Sequence, residues 1–215
     1  MYQVLVKFLI IRYNIYDNDI IIIFLMEVFM SFLTNHYVLS FIKFAILATL
    51  GEIIASSIKS KKVTIPHSIG YRMLIWGLLG VWIAFMMGIF AESMTAKLSK
   101  AGSPILHSKL AFAFLTSVLM NTSFGPLFMV FHKHTDTYLD IRYENRLSNI
   151  TEKITLRDVC GRVDYYAYAK NVLIGTLPTF WVPAHTITFL LPGEYRVVFA
   201  ALLSICLGII LSLKS

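Results

Sequence analysis

Charged side chains are scarce in this chain. Asp, Glu, Lys and Arg together make up 14% of its 215 residues, whereas hydrophobic residues make up 57%. Soluble domains carry roughly 25% charged residues, and a chain this short cannot bury so many apolar side chains in a core of its own. The composition therefore predicts an integral membrane protein, with the lipid bilayer as its partner.

Cysteine is scarce as well, and the residue patterns of common enzyme sites are missing. Cys160 and Cys206 fall in a polar and an apolar stretch, which argues against a disulfide, and neither has metal-ligand spacing. The sequence contains no glycine-rich phosphate loop, no HExxH pair, no nucleophile elbow and no paired catalytic carboxylates. We therefore expect no enzymatic activity and no cofactor.

One histidine-containing segment, 132–136, raises the question of a metal site. His132 and His134 are two positions apart and are followed by Asp136. Residues at i and i+2 do not share a face of a helix. The pattern therefore favours solvated charges beside the membrane, and no metal is expected.

Five stretches are long and apolar enough to cross a bilayer as helices, which takes about 20 residues. The first three are 37–58, 73–91 and 110–131. Two more form a hairpin over 171–214, joined by a Pro-Gly-Glu turn at 192–194. We predict an all-α membrane bundle of four to five transmembrane helices, with a surface-lying helix in the polar connection after the third.

The net charge of +7 does not indicate a nucleic-acid partner, because no basic segment interleaved with aromatic residues is present. In membrane proteins, Lys and Arg instead accumulate in the cytoplasmic connections. Here they concentrate between the first two spans, in the polar stretch 132–170 and at the C-terminus. We predict that these parts face the cytoplasm or its topological equivalent.

The first 34 residues differ from the rest of the chain. Their apolar runs are interrupted by charged side chains, namely Lys7, Arg12, Asp17, Asp19 and Glu27. We interpret residues 1–34 as an extension that is disordered or not native, with translation beginning at Met26 or Met30. A crossing by this segment is not favoured, and the membrane domain is predicted to be 35–215.

Small residues recur at every fourth position of the spans, a spacing that lets helices approach closely in lipid. We predict that these residues mark packing faces. The third span also contains the pair Gly125-Pro126, which predicts a break in that helix. The clearest stripes are Gly80, Ala84 and Gly88 in the second span and Ala200, Ser204 and Gly208 in the fifth.

Two polar side chains lie deep in apolar spans. Glu52 is in the first span and Asn121 is in the third. A carboxylate at the bilayer centre costs about 3 kcal/mol on insertion scales, so Glu52 should face the bundle interior, near Asn121, Arg72, His185 or water. Two interpretations remain open: a structural lock made of hydrogen bonds, or a group lining a pathway for ions or small solutes.

The first helix of the hairpin is irregular. Pro178 and Pro183 free backbone carbonyls, which a membrane helix tolerates when neighbours or cavity water satisfy them. Trp181 lies too deep for an interfacial aromatic belt, so it either lines a lumen or packs. His185 is more often a satisfied interior group than a ligand.

Motifs in the right order give this chain a resemblance to a known family. The first span contains Gly51-Glu52-Ile53-Ile54, and the second follows with Arg72, Gly77 and Gly80. The third span contains Asn121-Thr122 ahead of Phe124-Gly125-Pro126. The hairpin contains Trp181, Pro183, Thr188-Phe189, Pro192 and Arg196. Together these residues resemble the Mpv-seventeen and peroxisomal twenty-two-kilodalton membrane protein family over roughly 35–213.

The resemblance implies a small, weakly selective channel. Because Glu52, Asn121, Trp181 and His185 are polar or aromatic groups on interior faces, we expect them to line or gate it, with Arg72 in the interior. The departures are Asn121-Thr122 where the family has Asp-Gln, and Glu52 where it has Asp. The alternative function is a non-conducting, membrane-organising protein, and a homo-oligomer is left open. Eukaryotic members occupy the mitochondrial inner or peroxisomal membrane, but the composition here favours a bacterial plasma membrane.

Overall fold

The computed structural model describes residues 17–213, and within that range the chain is helical with no strand. It divides into two units, 1–39 and 40–215. The helices are α1 (Asp17–Thr34), α2 (His36–Ser60), α3 (Ile69–Lys100), α4 (Lys109–Leu147), α5 (Leu156–Arg162), α6 (Tyr165–Tyr168), a π-helix (Ala169–Trp181), α7 (Val182–Leu190) and α8 (Gly193–Leu213). The predicted all-α class is confirmed.

Five helical segments of the described chain are long and apolar enough to cross a membrane, which confirms the predicted membrane helices. The segment α1 is not among them, because three acidic residues fall within its eighteen. Residues 1–16 of the predicted extension lie outside the described residues. The five candidate spans are His36–Ser60, Ile69–Lys100, Lys109–Leu147, Tyr165–Leu190 and Gly193–Ile210.

The helix α4 is much longer than the predicted third span. It has 39 residues, so it extends about 58 Å, nearly twice the hydrocarbon thickness of about 30 Å. It passes Pro126 without interruption, so the predicted break is wrong. The carbonyl of Pro126 accepts a hydrogen bond from the Tyr168 hydroxyl at 2.7 Å. That bond joins α4 to the start of the fourth span.

The predicted surface helix is divided in two. The helix α5 ends at Arg162, and α6 starts after Asp164, whose side chain accepts a bond from the Ala167 amide. At the start of α5, Thr155 and Asp158 form a capping box. The Thr155 hydroxyl donates to the Asp158 carboxylate, which holds the pKa of that carboxyl below its usual value.

Glycines set the closeness of the helix contacts. A Cβ on Gly80 or Gly77 of α3 would overlap the Phe44 or Phe41 ring of α2. A Cβ on Gly51 would lie 3.1 Å from the Cα of Ile205 in α8. By contrast, no described atom lies within 4 Å of the corresponding position on Gly88, so the predicted α3 stripe does not reach that residue.

The closing hairpin is held by Arg196. Its Nε donates to the Leu191 carbonyl at 3.1 Å and its Nη2 to the Phe189 carbonyl at 3.3 Å. Carbonyls in the last turn of a helix lack intrahelical partners. The guanidinium also lies 5.5 Å from the centre of the Phe189 ring. Arg196 therefore caps α7 and fixes the turn that follows it.

The irregular helix of this hairpin is a π-helix over its first part. Ala169–Trp181 has Pro178 in its interior and returns to α-helix at Val182. A wider turn of this kind is rare and changes which side chains share a face. Trp181 stands at the junction of the two helix types, and Pro183 lies in the first turn of α7.

Candidate functional site: an interior cavity and a charged cluster

The bundle contains a partly open cavity of about 260 Å³. Its wall is mostly apolar, with side chains from α2, α3, α4, the π-helix, α7 and α8. Known ligand pockets begin at about 300 Å³, so the space suits water, ions or a small solute. The apolar part of its lining includes Phe44, Ile83, Met120, Phe124, Phe128, Met129, Leu177 and Leu207.

Four of the five predicted interior residues lie on this wall. They are Glu52, Asn121, Trp181 and His185, contributed by α2, α4, the π-helix and α7. Arg72 is not on the wall but contacts Glu52 from α3. Polar and aromatic residues from three apolar spans therefore reach one common space.

Asn121 forms a hydrogen-bonded lock between α4 and α7. Its Nδ2 donates to the Ser117 carbonyl at 2.9 Å, and its Oδ1 lies 3.1 Å from His185 Nδ1. Because an amide oxygen only accepts, the histidine carries its proton on Nδ1. The Ser117 hydroxyl donates to the Val182 carbonyl at 2.7 Å. Asn121 is therefore hydrogen-bonded to Ser117 on its own helix and to His185 on α7.

Trp181 lies beside the Asn121–His185 hydrogen bond, but its indole N–H forms no hydrogen bond with either residue. Its ring stacks on His185, with centroids 5.2 Å apart. The indole Nε1 is buried and has no hydrogen-bond partner in the described part of the chain. An unpaired buried donor costs about 1–3 kcal/mol. Trp181 lines the cavity, but its Nε1 atom is inaccessible to water.

A charged cluster adjoins the cavity, formed by Glu52, Arg72, His132, Asp136 and Asp140. Arg72 Nη1 lies 3.1 Å from Asp136 Oδ1 and 3.5 Å from Glu52 Oε2, and its Nη2 lies 3.1 Å from Asp140 Oδ1. Its side chain is 11% exposed. One guanidinium thus joins α2, α3 and α4.

Two aromatic contacts orient the cluster. The Trp76 indole N–H donates to Glu52 Oε1 at 2.6 Å, and the Trp76 ring packs 4.4 Å from the His132 ring centre. Outside the cavity, His67 extends the cluster through a contact of 3.0 Å with Asp140. Glu52 is therefore held by the Trp76 N–H and the Arg72 guanidinium together.

The sequence interpretation missed His132, Asp136 and Asp140, which it treated as solvated charge. These residues are spaced by four, so a continuing helix places them on one face. This spacing, together with the predicted interior position of Arg72, was the signal in the sequence that could have identified the cluster. The prediction ended the third span at residue 131 and so discarded it.

No family model matches this chain, and no curated protein or solved structure matches it either. The family resemblance remains a prediction carried by the motifs. The function is therefore argued from the cavity and the charged cluster.

Proposed function

We propose that this protein is a small, weakly selective channel for ions or polar solutes, with the interior cavity as part of its path. The supporting observation is the cavity itself, which polar groups reach from separate helices. Protein interiors are close-packed, so a bundle held only by structural locks would fill this volume with side chains.

The apolar part of the wall supplies a closing mechanism. Hydrophobic constrictions gate channels by losing water. Met120, Phe124 and Phe128 lie on one side of α4 and line the cavity. In this proposal the resting channel is dry at these side chains and conducts when the space widens enough to fill with water.

Planar-bilayer recordings test the proposal with a matched pair of variants. Met120→Ser places a hydroxyl on the cavity wall and should raise the open probability, because a polar wall is easier to wet. Leu119→Ser adds the same group on a 39%-exposed position of the same helix and should behave as the parent. Asn121→Leu, which removes the lock with His185, should alter the conductance.

The second candidate is a non-conducting, membrane-organising protein. The satisfied network around Asn121 and the pairing of Arg72 with three carboxylates favour it, because both are ties between helices. Under this alternative, neither the parent protein nor Met120→Ser carries current. Such a result with correctly folded protein would reject the channel.

We also infer membership of the Mpv-seventeen family and location in a plasma membrane. The ordered motifs support the first, and the Ile-, Lys- and Asn-leaning composition supports the second. Fractionation of the source cells with antibody detection tests the location. Recovery in an organellar membrane would replace it with the alternative location.

A further inference from the structure

We propose that Glu52, His132 and Asp136 form a binding site for a divalent transition-metal ion such as Zn²⁺. Each residue offers one ligand atom, and the three atoms lie within 4.8 Å of one another. Histidine nitrogen with carboxylate oxygen is a donor set that suits Zn²⁺ and related ions. The inference does not depend on whether the cavity conducts.

The helices pre-arrange these ligands. His132 and Asp136 are four residues apart on α4, so both project from one face. Glu52 approaches them from α2, held by the Trp76 N–H at 2.6 Å. Arg72 occupies Asp136 Oδ1, whereas Oδ2 of the same carboxylate is the atom nearest His132 Nε2, at 3.6 Å. Partners of this kind orient metal ligands.

The imidazole of His132 points to a missing partner. Its Nδ1 is buried without a hydrogen bond, and its Nε2 is too far from Asp136 for a normal one. No other hydrogen bond of this ring occurs among residues 17–213. The side chain is only 17% exposed, so water does not readily replace the missing partner. A metal ion bonded to Nε2, the nitrogen that faces Asp136, supplies the partner that this atom lacks.

The charge of the cluster also favours a cation. Three carboxylates, on Glu52, Asp136 and Asp140, face the single guanidinium of Arg72. Lys133, on the same helix, is exposed to solvent. The cluster therefore holds more carboxyl groups than permanent cations beside an apolar cavity, where unbalanced charge is costly. A divalent ion offsets it, even though Arg72 competes for the same oxygens.

Binding requires a small contraction. In a tetrahedral zinc site with bonds of about 2.0–2.2 Å, ligand atoms lie about 3.4 Å apart. The three ligand atoms must then approach one another by up to about 1.4 Å, which side-chain torsion changes can supply. Glu52 and His132 both line the cavity, so a water or solute there can reach the ion as a further ligand.

The experiment uses the purified full chain in detergent, stripped of metal by a chelator. Zn²⁺ titration calorimetry should show one ion bound per chain, and Co²⁺ should give a visible spectrum without a thiolate band. His132→Ala and Glu52→Gln should each weaken Zn²⁺ binding by about tenfold or more, since losing even a supporting partner of a metal site costs 10–100-fold. Because both variants are measured, the test remains valid if one of them fails to fold.

His134→Ala is the matched control, two residues further along the same helix. Its ring contacts the Tyr165 hydroxyl at 2.9 Å and the Cys160 sulfur at 3.5 Å, away from the proposed ligands. Zn²⁺ binding should persist in this variant. Absence of binding in the parent, loss of binding in His134→Ala, or a cobalt–thiolate band would each overturn the proposed site, the last two by assigning the ion to Cys160 and His134.

Discussion

Arg72 joins three helices through its charged contacts. It pairs with carboxylates from two helices, and its Nε donates to the His67 carbonyl at 3.1 Å. Removing one partner of a buried charge pair leaves the others uncompensated, and such losses reach about 3–5 kcal/mol. Because the Asp140 side chain is partly exposed, we expect the loss of stability to be at the lower end of that range.

We predict that Arg72→Met lowers the free energy of unfolding by about 3 kcal/mol, for this reason. The stability of Arg72→Lys should lie between that of the parent and that of Arg72→Met, because an ammonium group keeps the charge but not the forked geometry of the guanidinium. The measurement is thermal unfolding in detergent. Arg146→Met, on the exposed end of α4, is the control and should change stability by less than about 0.5 kcal/mol. Equal effects of the two methionine variants would contradict the role of Arg72.

A second prediction concerns Glu52. Glu52→Gln retains an oxygen that accepts from Trp76 but removes the negative charge beside the cavity. We expect the fold to persist and the preference of the channel for cations over anions to fall. Reversal potentials in asymmetric salt measure this preference. The exposed substitution Glu92→Gln should leave the potential as in the parent, and an unchanged potential in Glu52→Gln would exclude Glu52 from the path.

Residue-scale prediction rested on polar side chains that interrupt an apolar span. Glu52, Asn121, Trp181 and His185 stand out for that reason, and they line one cavity. It failed for Asp136 and Asp140, because a helix that leaves the membrane becomes polar on its outer faces. Composition alone cannot distinguish such a helix from a loop, whereas the spacing by four residues can.

At the scale of the helix, close contact depends on particular glycines. We predict that Gly80→Ala destabilises the bundle by about 1–3 kcal/mol, because the new methyl group overlaps Phe44 near its backbone. Gly88→Ala, on the same helix, meets no described atom within 4 Å. It should be neutral or stabilising by up to about 1 kcal/mol, as alanine favours helix. The unfolding midpoints of the two variants test this prediction. A lower midpoint for Gly88→Ala than for Gly80→Ala would contradict it.

Helix positions were more predictable than helix ends and helix types. Hydropathy alone located all five candidate spans, because a bilayer requires a long apolar run. The break expected at Pro126 did not occur, because α4 continues as a helix through this residue. The π-helix could not be foreseen, because its hydrogen-bond register depends on packing as well as on Pro178.

For the molecule as a whole, the distribution of Lys and Arg predicts orientation. A reporter fused after Ser215 or inserted at 149–154 should be cytoplasmic, and one inserted at 101–103 should lie on the opposite face. Spans alternate sides, so the first two positions must agree. Accessibility of the reporter to an impermeant reagent is the measurement. An exported reporter after Ser215 would reverse the assignment.

The order of spans followed from the sequence, but their arrangement around a cavity did not. Small residues indicated that helices approach closely without indicating which helices meet. Gly51 packs on Ile205 of the last helix, far along the chain, and no pattern in the first span names that partner. Contacts between distant segments depend on shape on both sides.

The length of α4 has a mechanical consequence. The rod that carries Met120 and Asn121 on the cavity wall also carries Glu144, which pairs with Arg162 at 2.6 Å outside the apolar part of the helix. An uninterrupted helix about 58 Å long transmits tilt from one end to the other. A tilt of α4 at the Glu144–Arg162 contact would therefore also move Met120 and Asn121, and the charged cluster lies between these two regions along the helix.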